Sequence, residues 1–169
     1  SQKGFRVTPI SRADLYDIYE TRTQVEAIAL SLAIEKGDDN WEADIISCYH
    51  LLSKYESEHG IQSANGYTEW EKRHRAFNLA LIKACKLQHL LRIQEQLYKL
   101  TERYRRQWLL AGIKLTELSY AKSQKKIMDA VLSRDSPLAI KLLHQHFDNA
   151  VKVIDKFFTE HDLFSNEEG

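Results

Sequence analysis

Five polar side chains, Arg22, His74, Asn78, Gln124 and His146, fall at or near the middle of otherwise apolar, helix-periodic stretches of this chain. A polar group turned into the interior of a helix bundle without a partner costs about 1–3 kcal/mol. One such residue is ordinarily satisfied by a neighbour in the core. Five, spread over separate helices, point to a polar cavity built to hold something. Arg22 is the most demanding of them, because a guanidinium cannot shed its charge and requires an anion or several acceptors. Glu26, one turn later, offers an intrahelical ion pair in the weaker acid-after-base order. A basic run, Arg103-Tyr104-Arg105-Arg106, supplies further cations. In it Arg106 points to solvent, and Arg105 lies nearer the apolar edge than Arg103. Arg105 is therefore the pocket candidate, and a solvated basic face is the plainer alternative.

The elements that must position these residues are helical almost throughout. Ser11, with Asp14 three residues on, forms a capping box ahead of the stripe Leu15, Ile18, Tyr19, Arg22, Val25, Ala29, Leu32 and Ala33. Gly37 closes that helix as a C′ residue. A second helix runs from Asp39-Asn40 to about His59-Gly60 and buries Ile45, Cys48, Tyr49 and Leu52. Residues 60–66 read as a loop. A third helix covers Tyr67 to Cys85, and a fourth covers Leu87 to about Gly112 with Leu90, Ile93, Leu97, Leu100, Tyr104 and Trp108 inward. The fifth spans about Leu115 to Arg134. Ser136-Pro137 announces the sixth, as N-cap and N1, with Ala139, Leu142, Leu143, His146, Ala150, Val153, Ile154 and Phe157 on one side. The expected architecture is all-α, a single antiparallel bundle of about six helices over residues 11–162, followed by a frayed tail at 163–169.

Composition excludes several classes of function. With Lys+Arg and Asp+Glu equal at 24 each, the formal net charge is zero, which makes this region a poor grip for phosphate backbones by itself. Cys48 and Cys85 have neither metal-type spacing nor a disulfide framework, and they read as small buried residues in a reducing, cytoplasmic setting. The longest apolar stretch, Ala27 to Ile34, is far too short to span a membrane. Two Glu-x-x-His pairs, Glu56/His59 and Glu71/His74, have di-iron spacing. They lie close together across a loop, however, and Glu117 is the only other glutamate placed to assist. No phosphate loop, nucleophile elbow or CxxC occurs, so an enzyme is not expected.

Taken in order, several segments resemble the effector-binding (FCD) domain of FadR-subfamily GntR transcription regulators, over about Gly4 to Phe157. Gly4-Phe5-Arg6-Val7-Thr8-Pro9-Ile10-Ser11 is similar to the last strand of a DNA-binding wing and its linker, which would end near residue 10. Tyr19-Glu20-Thr21-Arg22 with Glu26, and Trp70-Glu71-Lys72-Arg73-His74-Arg75-Ala76-Phe77-Asn78-Leu79-Ala80-Leu81, resemble the family's first-helix and central motifs. Arg103-Tyr104-Arg105 and Ile127-Met128-Asp129-Ala130-Val131 fit as well. Many members hold a divalent metal at positions that correspond to His74, Asn78, Gln124 and His146. Two of those four are amides here, and neutral amide oxygens replace imidazole or carboxylate ligands poorly.

The resemblance therefore implies a metal-free and cofactor-free sensor. A small organic acid would bind Arg22, His74, Asn78, Gln124 and His146, with Arg105 at the rim, and would modulate operator DNA binding by an N-terminal winged-helix domain. It also implies a homodimer, since operators are read as paired half-sites. Two other readings stay open: a metal-dependent sensor or enzyme with a degenerate site, and a ligand-free dimerisation module whose polar residues satisfy one another.

Overall fold

Capping chemistry decides where the helices begin. In the computed structural model, which describes residues 9–59, 64–111 and 120–164, helix α1 spans Arg12–Lys36 and is capped by Ser11, whose Oγ accepts from the Asp14 N–H at 3.0 Å. The expected return bond of the capping box is not made. Asp14 instead accepts from the Tyr104 hydroxyl at 2.5 Å, and the Ser11 N–H reaches that same hydroxyl at 3.4 Å. Helix α2 spans Asp39–Glu58 behind an Asp38 cap. Helix α3 spans Ala64–Ile82, so it starts inside the expected loop, and the one-turn 3₁₀ segment Lys83–Cys85 follows it. Helices α4 (Gln88–Leu110), α5 (Tyr120–Leu132) and α6 (Ser136–Glu160) complete the described chain. The cap of α6 is Asp135 rather than Ser136: its carboxylate accepts from the Leu138 N–H at 3.1 Å, while the Ser136 hydroxyl donates to Ser31 Oγ at 3.4 Å. The wing-like residues 1–8, Glu117 and the end of the tail, 165–169, lie outside the described residues.

Side-chain bonds fix the helix directions. Arg12 at the start of α1 meets Asp155 and Thr159 at the end of α6, while Ser31 near the end of α1 meets Ser136 at the start of α6. Between α1 and α4, Ser11 pairs with Tyr104 and Glu26 with Gln94. Helix α1 is thus antiparallel to both α4 and α6 and lies between them. Helix α3 runs antiparallel to α4, through Tyr67–Glu102 and Arg75–Glu95, and antiparallel to α2, through Tyr55–Gly66 and Trp41–Ala80. This is an all-α antiparallel bundle, and its core runs through Leu15, Ile45, Leu52, Trp70, Trp108, Val131 and Ile154, all at most 1% exposed.

Helix α4 differs from expectation in its orientation. Ile93 is 47% exposed and Leu97 half-buried, whereas Gln94, Tyr98, Thr101 and Arg105 face inward. Hydrophobic periodicity selected a face turned by about one residue, ~100°, because the face that packs is polar. Val25, Leu32 and Cys48 are likewise only half-buried, and Glu26 and Leu30 take interior places on α1.

Gly37 ends α1 for a different reason than a left-handed C′ turn. Its φ is −69°, open to any residue, but a Cβ there would lie 2.1 Å from Cε3 of Trp41. That ring is held in place by Nε1–H donating to Ala80 O at 2.8 Å. Replacing glycine with alanine at a permissive φ ordinarily stabilises by about 0.4–1 kcal/mol through the unfolded chain, whereas overpacking of this kind costs about 1–3 kcal/mol. Gly37→Ala is therefore expected to lower stability in urea unfolding. A gain in stability would show that the Trp41 ring is not fixed.

Candidate functional site

The polar face of α4 and its neighbours builds one hydrogen-bonded network. Arg22 of α1 is 2% exposed. Its Nε donates to Glu26 Oε1 at 3.0 Å, its Nη1 to Thr101 Oγ1 at 2.9 Å and its Nη2 to Asn78 Oδ1 at 3.4 Å. The rings of Tyr98 and Phe147 lie 4.9 and 4.6 Å from its guanidinium carbon. Glu26 also accepts from Gln94 Nε2 at 2.6 Å. On α3, Glu71 accepts from the Tyr98 hydroxyl at 2.6 Å and from Arg105 Nη2 at 2.8 Å. Two buried guanidiniums are thus each matched to a carboxylate, which keeps the interior electrically balanced.

Proton directions in the network follow from its fixed ends. Tyr98 gives its proton to Glu71, so its oxygen accepts from His74 Nδ1 at 2.8 Å. Nε2 of His74 is then an acceptor, and it faces the Asn78 amide nitrogen at 3.3 Å. Asn78 also donates to the His74 carbonyl at 2.8 Å, while its oxygen takes the donor from Arg22. Because arginine can only donate, the orientation of the Asn78 amide is determined. Trp70 stacks on the His74 ring at 4.4 Å and fixes its plane.

His146 on α6 bonds Ser123 of α5 through Nδ1 at 2.7 Å. Burial holds its pKa down to about 3, with the charges of Arg22 and Arg105 adding to the effect. His74 is likewise held well below the ordinary value by burial first, then by Arg105, Arg22 and His146. Both imidazoles are therefore neutral at pH 7.

Gln124 on α5 stands apart. It is 3% exposed, and neither its amide oxygen nor its amide nitrogen has a hydrogen-bond partner among the described residues. It borders an inner cavity of about 20 Å³, together with Glu26, Asn78, Phe77, His146 and Phe147. His146 also lines a larger outer pocket of about 210 Å³ between α5 and α6, whose wall includes Trp108, Lys122, Lys126 and Asn149. The Nε1 of Trp108 is a buried donor that likewise has no partner among the described residues.

Of the six residues expected from sequence, Arg22, His74, Asn78 and Arg105 share the network, and Asn78, Gln124 and His146 meet at the inner cavity. Arg22, His74 and Arg105 border neither cavity. Arg105 is 2% exposed and pairs with Glu71, while Arg106 is exposed, as the helical angles imply. Sequence reasoning missed Glu71, Gln94, Tyr98, Thr101, Ser123 and Trp108 as parts of this region. Glu71 was given no site role beyond half of a di-iron pair and a place in the central motif, although Gln94, Tyr98, Thr101 and Arg105 have the 4-3-4 spacing of one helical face.

The residues present do not fit a divalent cation. The lone pair of His74 Nε2 faces the Asn78 NH₂, and Asn78 Oδ1 faces the Arg22 cation. A metal there would displace both bonds and sit against a guanidinium. Among the described residues, no group of three or more His, Cys, Asp or Glu converges.

Residues 17–149 match the family model described as the FCD domain. HTH-type transcriptional repressor GlaR of Escherichia coli (strain K12) is 37% identical over 158 residues, covering 92% of this chain and 71% of that protein. An uncharacterized HTH-type transcriptional regulator, BphR, of Paraburkholderia xenovorans (strain LB400) is 33% identical over 157 residues, covering 93% of this chain and 63% of that protein. A crystal structure of a GntR family transcriptional regulator from Pseudomonas syringae pv. tomato str. DC3000 superposes with a TM-score of 0.70 at 19% identity, covering 93% of this chain and 62% of that one. At that identity the likeness is one of fold.

Neutral burial of the two histidines sets a sign for the pH dependence of stability. The unfolded chain binds a proton on each histidine below its ordinary pKa of 6.5, while folded His146 does so only near 3. Stability is therefore fully present above 6.5 and declines as the pH falls from there toward 3, by up to about 1.4 kcal/mol per pH unit for each histidine. Urea unfolding at about pH 7 and about pH 5 should differ by about 2–4 kcal/mol, and His146→Gln should remove part of that difference. A flat profile would contradict the neutral burial.

Proposed function

The chain belongs to the FCD domain family, and on that premise we propose that it is the effector-sensing and dimerising part of a bacterial transcription regulator. The effector in this reading is a small organic acid that enters the bundle at His146 and reaches Gln124 and Asn78. Its occupancy changes how a homodimer presents a helix-turn-helix module, of the kind named in its relatives, to operator DNA.

The observation that carries this reading is Gln124. A buried amide with both ends unmatched costs about 1–3 kcal/mol, and here, unmatched among the described residues, it borders a cavity that shares the lining residue His146 with an outer pocket. The amide can accept from a hydroxyl and donate to a carbonyl or carboxylate oxygen, so it suits a ligand with a mixed polar end. The network around Arg22 and Glu71 then acts as a prebuilt frame. It fixes Asn78 and places two guanidiniums behind the site, without Arg22 or Arg105 touching the ligand.

The ligand-free dimerisation reading draws support from that same self-satisfied network. Gln124 weighs against it, since a purely structural core at this position would favour leucine or methionine. No helix among the described residues is long and apolar enough to cross a membrane, which accords with action on DNA inside the cell. For binding to have a regulatory effect, the effector must prefer one of two arrangements of the dimer.

A thermal-shift screen of the chelator-treated chain against small carboxylic acids tests the proposal. An acid at a hundred times its dissociation constant adds about 2.7 kcal/mol, or roughly 5–10 °C at this chain length. Gln124→Leu should raise the stability of the unliganded chain by about 1–3 kcal/mol and abolish that shift. If no acid class shifts the midpoint, or if Gln124→Leu responds as the parent does, the reading fails. A response that appears only on adding zinc or nickel would restore the metal-dependent alternative.

A further inference from the structure

We propose that the outer pocket between α5 and α6, backed by Trp108 of α4, is an anion subsite formed by Trp108, Lys122 and Lys126, and that it holds the carboxylate of the effector. This rests on the reading of the domain as an organic-acid sensor, and it assigns the acid group to residues outside the inner cavity.

Size separates the two cavities. The inner one, at about 20 Å³, has room for about one water, while the outer one is about 210 Å³. An organic acid whose tip reaches Gln124 past His146 must therefore keep its body in the outer pocket.

Charge then decides which end lies where. Behind the inner cavity, Arg22 is matched by Glu26 and Arg105 by Glu71. In the outer pocket, Lys122 and Lys126 stand one turn apart on α5, and neither makes an ion pair among the described residues; Lys125 between them pairs with Asp129 at 2.8 Å. Among the described residues no carboxylate lines the pocket. Uncommitted positive charge is thus concentrated there.

Trp108 gives the independent sign of a ligand. Its side chain is 1% exposed, and its Nε1–H has no partner among the described residues. The other two indoles are bonded, Trp41 to Ala80 O at 2.8 Å and Trp70 to Glu56 Oε1 at 3.0 Å. An indole can only donate, so what Trp108 lacks is an acceptor. A carboxylate in the pocket accepts from Trp108 and is neutralised by the two ammonium groups, which are free to move onto it. Leu142 and Val153 of α6 line the same pocket and suit a short carbon body. The ligand class is a compact carboxylic acid with an aliphatic or aromatic body and a second polar group at the far end.

The chain's three indole N–H signals make a direct readout by ¹H–¹⁵N NMR, with Trp108→Phe assigning one of them. Titration with the sodium salts of acetate, succinate and benzoate, against sodium chloride at matched ionic strength, should move the Trp108 signal saturably and leave those of Trp41 and Trp70 in place. Lys122→Gln/Lys126→Gln, which alters exposed side chains only, should weaken that titration by about tenfold. The subsite is overturned if none of the acids moves the Trp108 signal, or if the double lysine variant titrates as the parent does. The two levels of the proposal separate cleanly. An acid that raises the thermal midpoint through Gln124 yet leaves the Trp108 signal still would remove the subsite and keep the sensor. Absence of both responses would remove both.

Discussion

The buried charge of Arg22 is the constraint around which the interior is arranged. A guanidinium at 2% exposure cannot become neutral, and moving it out of water is costly unless its donors are met and its charge is balanced. The chain meets that requirement from three helices: Glu26 on α1 supplies the charge, Thr101 on α4 and Asn78 on α3 supply oxygens, and two aromatic rings cover the faces. Each of those choices then constrains another. Glu26 takes Gln94, Asn78 is oriented toward His74, and His74 is oriented by Tyr98 and Glu71. The inward polar face of α4 follows from this one residue on α1.

This arrangement separates the interior into parts that are complete and parts that are not. From Glu71 through Tyr98, His74 and Asn78 to Arg22 and Glu26, each donor and acceptor discussed has a counterpart. Such a network holds its members in single rotamers. Gln124 and Trp108 are unmatched among the described residues, and they border the two cavities that share His146 as a lining residue. Rigid groups behind and unmet groups in front are what a preorganised site requires, because the cost of ordering has already been met by the fold. The resemblance to the family implies metal ligands at the positions of Asn78 and Gln124, and amides there would change what that front can recognise. A cation-centred site presents a Lewis acid, whereas amides beside neutral imidazoles present hydrogen-bond donors and acceptors.

Much of this was legible in the sequence, for reasons specific to each element. The starts of α1, α2 and α6 could be read within a residue or two because Ser11, Asp39-Asn40 and the Ser136-Pro137 pair mark helix entry, although the caps of α2 and α6 prove to be Asp38 and Asp135. Arg22, His74, Gln124 and His146 were identifiable as interior because each lies in a clear apolar stripe. The inward face of α4 was not, since hydrophobicity marks the apolar face and the interior here is polar. Ile93 and Leu97 drew the stripe away from Gln94, Tyr98 and Thr101. Convergence was also beyond reach: nothing in the spacing of Glu71 shows that Arg105 of another helix meets it. On α6, Leu142, Ala150 and Val153 belong to the stripe but are half-buried, and they form a wall of the outer pocket. A stripe wider than the core needs was the trace of that pocket.

The Tyr104 hydroxyl ties α4 to the cap of α1, at Ser11 and Asp14. Tyr104 and Trp108 lie four residues apart, on one side of the same rigid rod. The last two turns of α4 therefore join a wall of the outer pocket, at Trp108, to the first turn of α1, at Tyr104. Pocket and helix start are a single turn of α4 apart, so whatever fills the one sits next to the hinge point of the other.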